Sequence, residues 1–335
     1  MSPASRTWAV VLAGGEGTRL ASLTRDAAGN SVPKQFCSLN GGAALVHDAL
    51  QRARHIAPPE QVCAIVAQQH SRYWRKALQS LPAPNILVQP HNRGTANGVL
   101  LCVLAILERD PLARIAFLPA DHFVLDECAL ARALCDLAVH LKHNPDGLTL
   151  IGIEPEEADP ELGYIVPGRT LSDGSRTVVR FVEKPPLRVA RELVNDKVLW
   201  NSFIFAATGW ALLGLLRRHM GVRVDDMATA LARDTQSGAS SALTELYERL
   251  PAADFSRAVV QHAPQALRVI TAPACGWNDL GTPRRVADTL RRLQAERLGP
   301  IMHQPADTSV RPVRAFINLA AQHARQQSAL CSPAA

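Results

Sequence analysis

The stretch Thr7–Leu20 reads TWAVVLAGGEGTRL and decides the fold. Its apolar run, 9–13, has the length and the branched composition of a buried strand in a parallel sheet. Three glycines follow: Gly14, Gly15 and Gly17. Glycine lets the backbone approach a ligand closely and adopt a positive φ, and successive N–H groups in such a turn bind anions. A strand that runs into this turn therefore predicts a polyphosphate site.

Thr18 and Arg19 close the turn with a hydroxyl and a planar cation, which both suit phosphate oxygens. Two commoner glycine loops are excluded. The dinucleotide fingerprint requires a third glycine where Leu20 stands, and the P-loop requires a glycine followed by lysine where Arg19 stands. A tight strand-to-helix turn without a ligand stays open as the alternative for this motif alone.

Composition and charge exclude several classes of protein. The 335 residues are 47% hydrophobic and 20% charged, as expected of a globular protein with one large α/β domain or two. The charge of +6 contains no run of five like charges and aromatics make up 5%, so no nucleic-acid partner is expected. Seven cysteines without a C-x-x-C pair indicate reduced thiols and a cytoplasmic protein. No apolar run approaches the roughly 18 residues of a membrane span, so no membrane partner is expected.

Strands and helices alternate through the first half of the chain, about 7–155. Strands are predicted at 62–67, 85–88, 114–118 and 148–153, and helices at 44–54, 99–107 and 129–142. Such alternation favours an α/β fold with a parallel, doubly wound sheet. A helix that follows the polar loop 89–98 would offer its N–H groups to an anion or a base.

The pattern changes in the second half, 156–298. Strands at 163–168 and 177–185 are joined by a turn at 173–174, and further strands are predicted at 199–205 and 267–272. Helices are predicted at 187–198, over most of 209–250, and from Pro283 to about Leu298 with Thr282 as its cap. The tail, 299–335, is expected to be loosely ordered, with one or two helical turns at 316–324.

Two acids stand at predicted strand ends. Asp121 follows the strand that begins at Arg114, and Asp279 follows the strand at 267–272. Ligands of open α/β sheets bind outside the carboxyl ends of the strands, so both acids are candidates for a metal-bound phosphate site. Either acid alone could instead be a helix cap, which is the commoner use of a carboxylate at such a turn.

Taken together, the motifs resemble the sugar-1-phosphate nucleotidylyltransferases, and within them the mannose-1-phosphate guanylyltransferases. The resemblance spans about residues 7–290. It is carried by nine motifs in the family's order: LAGGEGTRL (12–20), PKQF (33–36), QPHNRGTANG (89–98), LPADH (118–122), LGYI (162–165), FVEKP (181–185), WNSFIF (200–205), DFSRAV (254–259) and GWNDLGT (276–282). The resemblance implies a Rossmann-like mixed sheet of the nucleotide-diphospho-sugar transferase fold, with a smaller β-rich region that binds the sugar.

The resemblance also implies roles for individual residues. Those implied to hold the nucleotide are Leu12, Ala13, Gly14, Gly15, Gly17, Thr18, Gln89, Arg93, Thr95 and Asp121. Arg19 would bind the triphosphate and the leaving pyrophosphate, and Lys34 would contact the phosphates at the reacting centre. Magnesium would be coordinated by Asp121 and Asp279. Those implied to face the sugar phosphate are Gly163, Glu183, Lys184 and Asn201, with the lysine on the phosphate.

The implied reaction joins GTP and mannose 1-phosphate to give GDP-mannose and pyrophosphate. A sugar phosphate is largely ionised at neutral pH, so its oxygen attacks without a general base. The difficulty is to bring two polyanions together, which requires positioning and cationic stabilisation. The cationic stabilisation would come from magnesium on two aspartates and from Arg19, Lys34 and Lys184 around the anions. A surface ion pair between Lys184 and Glu183 is the plainer alternative for those two residues.

The sequence departs from the usual guanylyltransferase in three places. The family's second loop commonly reads Arg-Asn-Thr-Ala-Pro-Ala, whereas 93–98 here reads RGTANG, which leaves the base open. Phe203 stands where the family often has glycine, which could reshape the sugar pocket. The family's long forms carry a C-terminal isomerase barrel and other relatives carry a left-handed β-helix. The residues after 290 leave room for neither, so no isomerase activity is expected.

Three rivals stay open. The same chemistry could act on another pair, such as glucose 1-phosphate with a different nucleotide. A catalytically weak regulatory subunit would bind nucleotide sugars, although it would not need all the cations and acids kept here. A metal-dependent glycosyltransferase would want Asp-x-Asp where this chain has Phe123 in third position. Small-molecule substrates are expected as the partners, and a homodimer is left open.

Overall fold

The computed structural model describes residues 6–298 apart from residues 27 and 40, together with the backbone of Ile317–Asn318. The strands are β1 (Thr7–Leu12), β2 (Cys37–Ser38), β3 (Val62–Ala67), β4 (Ile86–Gln89), β5 (Arg114–Pro119), β6 (Leu148–Ile153), β7 (Gly163–Thr170), β8 (Arg176–Glu183), β9 (Leu199–Thr208), β10 (Leu267–Thr271) and β11 (Ile317–Asn318). The helices are α1 (Leu45–Ala53), α2 (Ser71–Ala77), α3 (Thr95–Arg109), α4 (Glu127–His143), α5 (Leu187–Asn195), α6 (Gly209–Ser237), α7 (Ser241–Arg249), α8 (Phe255–Ala258) and α9 (Pro283–Leu298).

Nine strands form one mixed sheet in the order β4-β3-β1-β5-β9-β6-β10-β8-β7. Strands β4, β3, β1 and β5 are parallel neighbours, and β10 runs parallel to β6. Strand β9 lies antiparallel between β5 and β6, which makes the sheet mixed. The predicted α/β fold with a doubly wound mixed sheet is confirmed.

The order of the strands reverses at β1, because β3 and β4 extend the sheet on one side and β5 lies on the other. Such a switch point opens a crevice at the carboxyl ends of the two central strands. Leu12 at the end of β1 is in register with Pro119 at the end of β5. The glycine loop and Asp121 therefore leave the sheet side by side.

The sheet is covered on both faces, which explains the continuous apolar run in β1. Ala9 and Val11 belong to one core, together with residues of α1, α4 and α5. Trp8 and Val10 belong to the other core, together with residues of α3, α6 and α7. A strand buried on both faces reads as unbroken apolar sequence rather than as alternation.

The second half continues the same sheet. The β7–β8 hairpin turns at 171–175, with Gly163 in register with Glu183, and it joins the sheet through β10 and β9. The long strand β9 passes from the hairpin to the centre of the sheet, where it pairs with β5. The residues predicted for the sugar phosphate are thereby tied to the strand that precedes Asp121.

Several predicted element bounds are corrected by the structure. Helix α3 begins at Thr95 rather than at Val99, and α6 runs as one helix with a kink at Met220. Helix α2 and strand β2 were not predicted. The helical turns predicted at 316–324 are wrong at Ile317–Asn318, which pair as a strand with β2; the rest of the tail 299–335 lies outside the described residues. Within 6–298, no helix combines the length and the apolar character that crossing a bilayer requires.

Candidate active site

The side chain of Gln35 holds the glycine loop in place. Its Nε2 donates hydrogen bonds to the carbonyls of Ala13 and Gly15, both at 2.8 Å. Gly17 has φ +64°, and a Cβ there would lie 3.1 Å from the backbone nitrogen of Lys34. Glycine is required at this position both by its φ and by the close approach of the next segment. The loop and the PKQF segment therefore form one unit.

Lys34 is buried, which is unusual for a lysine. Its Nζ lies 2.9 Å from Oδ2 of Asp121 and donates to the main-chain carbonyl of Asp279 at 2.6 Å. The backbone of Lys34 follows Pro33, whose ring fixes its own φ. One ammonium therefore joins the two residues that were predicted to hold a metal.

Asp121 lies at the carboxyl end of β5 with its side chain about one-third exposed. Burial alone would raise the pKa of its carboxyl, but the charge and the hydrogen bond of Lys34 lower that pKa below its ordinary value. Burial lowers the pKa of His122 to about 4, so its imidazole is neutral at pH 7. His122 packs edge-on against Trp277, as expected of a packed neighbour.

The carboxylate of Asp279 faces a different cation. Its Oδ1 lies 3.0 Å from Nε of Arg285 and accepts the backbone N–H of Gly281 at 3.0 Å. The alternative that these acids serve as helix caps does not hold, because the cap of α4 is Asp126 and the first turn of α9 is capped by Thr282. Asp279 is therefore free of a helix-end role.

The donor set fits a magnesium ion that is bound together with a substrate. Among the described residues, no group of three or more His, Cys, Asp or Glu side chains is arranged as a metal cage. Magnesium sites at phosphates use one or two carboxylates and complete the shell with water and phosphate oxygens. Asp121 and the second oxygen of Asp279 can supply those carboxylates, with Lys34 between the two residues.

Two cavities adjoin at this edge of the sheet. The larger measures about 480 Å³ and the smaller about 340 Å³, and both are lined by Asn92 and Asp121. Residues predicted for the nucleotide that line the larger cavity are Leu12, Gly14, Gly15, Gln89, Thr95 and Asp121. Predicted residues that line the smaller cavity are Gly17, Thr18, Arg19, Lys34 and Asp121. An elongated ligand that occupied both would pass over the glycine turn.

The second polar loop forms the far wall of the larger cavity. Gly94 has φ +84°, and a Cβ there would overlap the carbonyl of Ala253, so only glycine allows this approach. The same carbonyl accepts the N–H of Ala96 in the first turn of α3. The hydroxyl of Thr95 accepts the N–H of Phe255, the first residue of α8, whose cap is Asp254. The predicted loop thus packs on a segment about 160 residues away.

Two predicted nucleotide residues differ in where their side chains point. Gln89 is buried at the cavity wall, and the hydroxyl of Tyr247 lies 3.4 Å from its Oε1. Arg93 instead donates to the carbonyls of Tyr247 and Glu248 at the end of α7. The structure brings Gln89 to the cavity, whereas the guanidinium of Arg93 stabilises the loop from outside.

The residues predicted for the sugar phosphate converge on the start of the hairpin. A Cβ on Gly163 would lie 2.7 Å from Oε2 of Glu183 and 3.4 Å from Cβ of Asn201, so these three residues are in contact. Lys184 is exposed and has φ +47°, with its N–H donated to the carbonyl of Leu162. All four lie outside the lining of the two cavities as the described residues define them.

The carboxyl of Glu183 has a raised pKa. Burial and the negative charge of Asp254 together raise the pKa of its carboxyl to about 7, against the opposing effects of Lys184 and Arg257. Asp254 itself lines the larger cavity. A carboxyl that is partly protonated near neutral pH can both donate and accept hydrogen bonds, which suits a hydroxyl-bearing ligand.

The sequence matches a family model described as nucleotidyl transferase over residues 8–296. The chain belongs to the nucleotidyl transferase family. The matched region contains every element of the nine-stranded sheet except the first residue of β1. The resemblance inferred from the motifs is confirmed at the level of the family.

Several named proteins resemble this nucleotidyl transferase. The xanthan biosynthesis protein XanB of Xanthomonas campestris is 30% identical, with 82% of this chain and 57% of that protein covered. The mannose-1-phosphate guanylyltransferase of Salmonella muenchen is 26% identical, with 82% and 57% covered. The chain thus spans somewhat more than half the length of these relatives. The crystal structure of mannose-1-phosphate geranyltransferase from Thermus thermophilus is similar with a TM-score of 0.70 and 31% identity, covering 83% of this chain and 77% of that one.

Three residues of the site escaped the sequence reasoning. Gln35 holds the glycine loop, and its place in the PKQF motif beside Lys34 was the available signal. Arg285 and Asp159 form a buried ion pair next to Asp279. They lie 126 positions apart, and nothing in the local sequence marks either of them.

Proposed function

We propose that this nucleotidyl transferase joins a nucleoside triphosphate to a sugar 1-phosphate, with GTP and mannose 1-phosphate as the pair. The products are GDP-mannose and pyrophosphate. The observation that carries the proposal is the meeting of the glycine loop, Lys34 and Asp121 at the switch point of the sheet, between two adjoining cavities. The names of the relatives from Salmonella muenchen and Thermus thermophilus support mannose 1-phosphate as the acceptor.

The larger cavity suits the base and ribose, and the smaller cavity suits the phosphates. The larger one is walled by Leu12, Gln89 and the Gly94–Thr95 turn, which offer apolar surface and amide groups. The smaller one contains the backbone of the glycine loop with Arg19 and Lys34, which offer N–H groups and cations. This division follows the chemistry of a nucleotide, whose charge lies at one end.

The attack needs no proton acceptor from the protein. The phosphate of the sugar is already largely ionised at neutral pH, so its oxygen can attack the α-phosphorus of the triphosphate. Lys34 is held by Asp121 and by a main-chain carbonyl, and it would offset negative charge at the reacting phosphates. Arg19 would stabilise the departing pyrophosphate through hydrogen bonds from its planar guanidinium group.

Magnesium is the proposed cofactor, with Asp121 and Asp279 as its protein ligands. When bound, it would neutralise phosphate oxygens as charge develops on the leaving group. The chain's own part is to hold the carboxylate of Asp121 and the main chain of Asp279 on Lys34, and to leave the rest of the shell to substrate oxygens. The rest of the coordination shell would come from water and from the nucleotide.

The sugar would lie against the β7–β8 hairpin. Glu183 and Asn201 would bind its hydroxyls, and the exposed ammonium of Lys184 would bind its phosphate. Glycine at position 163 lets the carboxylate of Glu183 approach closely, because a side chain there would meet it. The hairpin is joined to β5 through β9, so the acceptor and Asp121 are held on one rigid sheet.

We also propose that the protein works in the cytoplasm. The six cysteines of the described residues are all free thiols, and four of them are buried. Burial raises the pKa of Cys63 to about 11, which keeps this thiol protonated and unreactive. Thiol titration of the purified full chain should therefore find no disulfide bond.

A substrate matrix tests the proposal. Four nucleoside triphosphates are each combined with mannose 1-phosphate and glucose 1-phosphate, and pyrophosphate release is measured with and without magnesium. The expected result is release that depends on magnesium and is greatest for GTP with mannose 1-phosphate. Greater release with another pair would replace the proposed substrates, whereas no release with any pair would refute the reaction class.

A further inference from the structure

Arg285 is a buried cation next to Asp279. It lies in the first turns of α9, and its side chain is 6% exposed. Its Nη1 donates to Oδ2 of Asp159, and its Nε lies 3.0 Å from Oδ1 of Asp279 and 3.2 Å from Oδ1 of Asn278. The planar guanidinium also lies over the ring of Trp200 at 5.2 Å. One side chain therefore connects two carboxylates from different parts of the chain.

The partner of Arg285 is itself fixed. Asp159 is buried, its N–H donates to the hydroxyl of Tyr164, and its carbonyl accepts the hydrogen bond of the same hydroxyl. Tyr164 is fully buried in β7. Arg285 thus has little freedom to swing away from Asp279, because its other end is bound to a rigid anchor.

These contacts leave one oxygen of Asp279 for a ligand. Oδ1 is occupied by Arg285 and by the N–H of Gly281. Among the described residues no donor is recorded for Oδ2, which lies nearest to Gly281; a Cβ at that position would overlap it. Gly281 lines the smaller cavity together with Lys34 and Asp121, so Oδ2 of Asp279 lies next to a wall residue of the cavity that is proposed for the phosphates.

We propose that Arg285 is a positioning residue that holds Asp279 by Oδ1 and presents Oδ2 to a divalent cation in the nucleotide complex. The proposal rests on the proposed function, because it needs a cation at Asp121 and Asp279. The proposal adds that Asp279 binds the cation through Oδ2 only. It also adds that Asp159, by holding Arg285, fixes the orientation of the Asp279 carboxylate.

Charge and position predict opposite effects of removing Arg285. The guanidinium is a positive charge next to the cation site, so on charge alone its removal would tighten cation binding. If Arg285 acts by orienting Asp279, its removal frees the carboxylate to rotate and weakens binding by about 10- to 100-fold, as for other residues that hold metal ligands. The sign of the change therefore separates the two effects.

The experiment measures binding of Mn²⁺, as a probe for magnesium, by electron paramagnetic resonance of the free ion. The full chain is kept in excess over GTP, because free GTP itself chelates Mn²⁺, and no sugar phosphate is added, so no reaction occurs. Arg285→Met removes the guanidinium but leaves the carboxylate of Asp159 buried without a cation, which can unfold the protein. Arg285→Met combined with Asp159→Asn removes both charges and keeps the fold testable. The matched control is Arg292→Met. Arg292 lies on α9 like Arg285, and its substitution removes only an exposed ion pair with Glu156.

Weaker Mn²⁺ binding in the double variant, at unchanged GTP affinity without metal and unchanged binding in the control, is the expected result. Equal or tighter Mn²⁺ binding in the double variant would overturn the positioning role. If the unsubstituted protein binds GTP but no Mn²⁺ with it, the cation site of the proposed function fails. If it binds no nucleotide at all, the proposed function itself fails.

Discussion

Nη1 of Arg19 lies 2.7 Å from Oε2 of Glu161, which joins the glycine loop to the segment that precedes β7. Both side chains are about half exposed. The N–H of Glu161 donates to Oδ1 of Asp159, whose other oxygen is bound by Arg285. Glu161 is therefore held in place by a buried anchor, and Arg19 has a carboxylate partner in the protein without nucleotide. To bind a triphosphate, Arg19 must exchange that partner for phosphate oxygens.

Replacing Glu161 with glutamine should tighten binding of the triphosphate by about two- to fivefold. An exposed ion pair is worth about 0.2–1 kcal/mol, and this is the energy that the phosphates must replace. Isothermal titration with GTP at low salt measures the effect. Glu157→Gln breaks an exposed pair with Arg284 on the same segment and should leave binding unchanged. Equal affinity in the Glu161 variant and the unsubstituted protein would mean that the ion pair does not compete with nucleotide.

Replacing Arg19 with alanine should lower turnover by about a hundredfold or more, with little change in stability. The guanidinium is half exposed and its single carboxylate partner is on the surface, so the fold does not depend on it. Loss of one preorganised charge at a reacting phosphate has an effect of this order. Pyrophosphate release under saturating substrates measures it. Arg25→Ala, which removes an exposed arginine bound to the carbonyl of Gly29, is the control. Near-normal release in the Arg19 variant would refute its role.

The centre of this site could be predicted from sequence because its parts are local. The apolar run of β1 and the three glycines after it are contiguous, and Asp121 directly follows a second apolar strand. Two parallel strands with a loop at each carboxyl end suffice to bring these residues together. Helix α9 was likewise predicted with both its bounds, because Pro283 and Thr282 mark its first turn.

What could not be predicted depends on contacts between distant segments. Helix α3 begins four residues early because Asn97, a poor helix former, is satisfied by the carbonyls of Arg93 and Pro251. The burial of Lys34 depends on the carbonyls of Asp279 and Leu280, which are 245 and 246 positions away. The ion pair of Arg285 with Asp159 has no local pattern at all. Tertiary partners decide these cases, and a single sequence does not display them.

Glu183 should make the stability of the protein depend on pH near neutrality. Its pKa is raised to about 7 in the folded protein against an ordinary value near 4.5. Between these two values the folded state binds more protons than the unfolded state, so the free energy of unfolding falls as pH rises through this window. Above pH 7 the whole penalty is present, up to about 3 kcal/mol.

Glu183→Gln should remove that penalty, because the amide stays neutral. The variant should be more stable than the unsubstituted protein at pH 8, and the difference should shrink as pH falls toward 4. Urea unfolding at pH 5, 6, 7 and 8 measures it. Glu161→Gln, which alters an exposed carboxylate on the same half of the chain, serves as the control. A stability difference between Glu183→Gln and the unsubstituted protein that is constant from pH 5 to 8 would contradict the raised pKa.

Phe203 occupies a backbone conformation that favours glycine. Its φ is +58°, and its ring packs edge-on against Phe205 and Phe255 at the wall of the larger cavity. A Cβ in the left-handed region costs about 1–2 kcal/mol, whereas glycine loses about 0.5–1 kcal/mol of chain entropy on folding. Phe203→Gly should therefore be more stable than Phe203→Ala by about 0.5–1 kcal/mol, since both variants lose the same ring packing.

Urea unfolding of the two variants measures this difference. The control pair is Val179→Gly and Val179→Ala, at an exposed position of β8 outside the residues with positive φ. There the order should reverse, with alanine the more stable, because no left-handed strain is relieved and glycine keeps its entropy cost. If alanine is the more stable residue at 203 as well, Phe203 is not strained. If glycine is favoured at 203 alone, the aromatic contacts at the cavity wall are maintained at the expense of backbone strain.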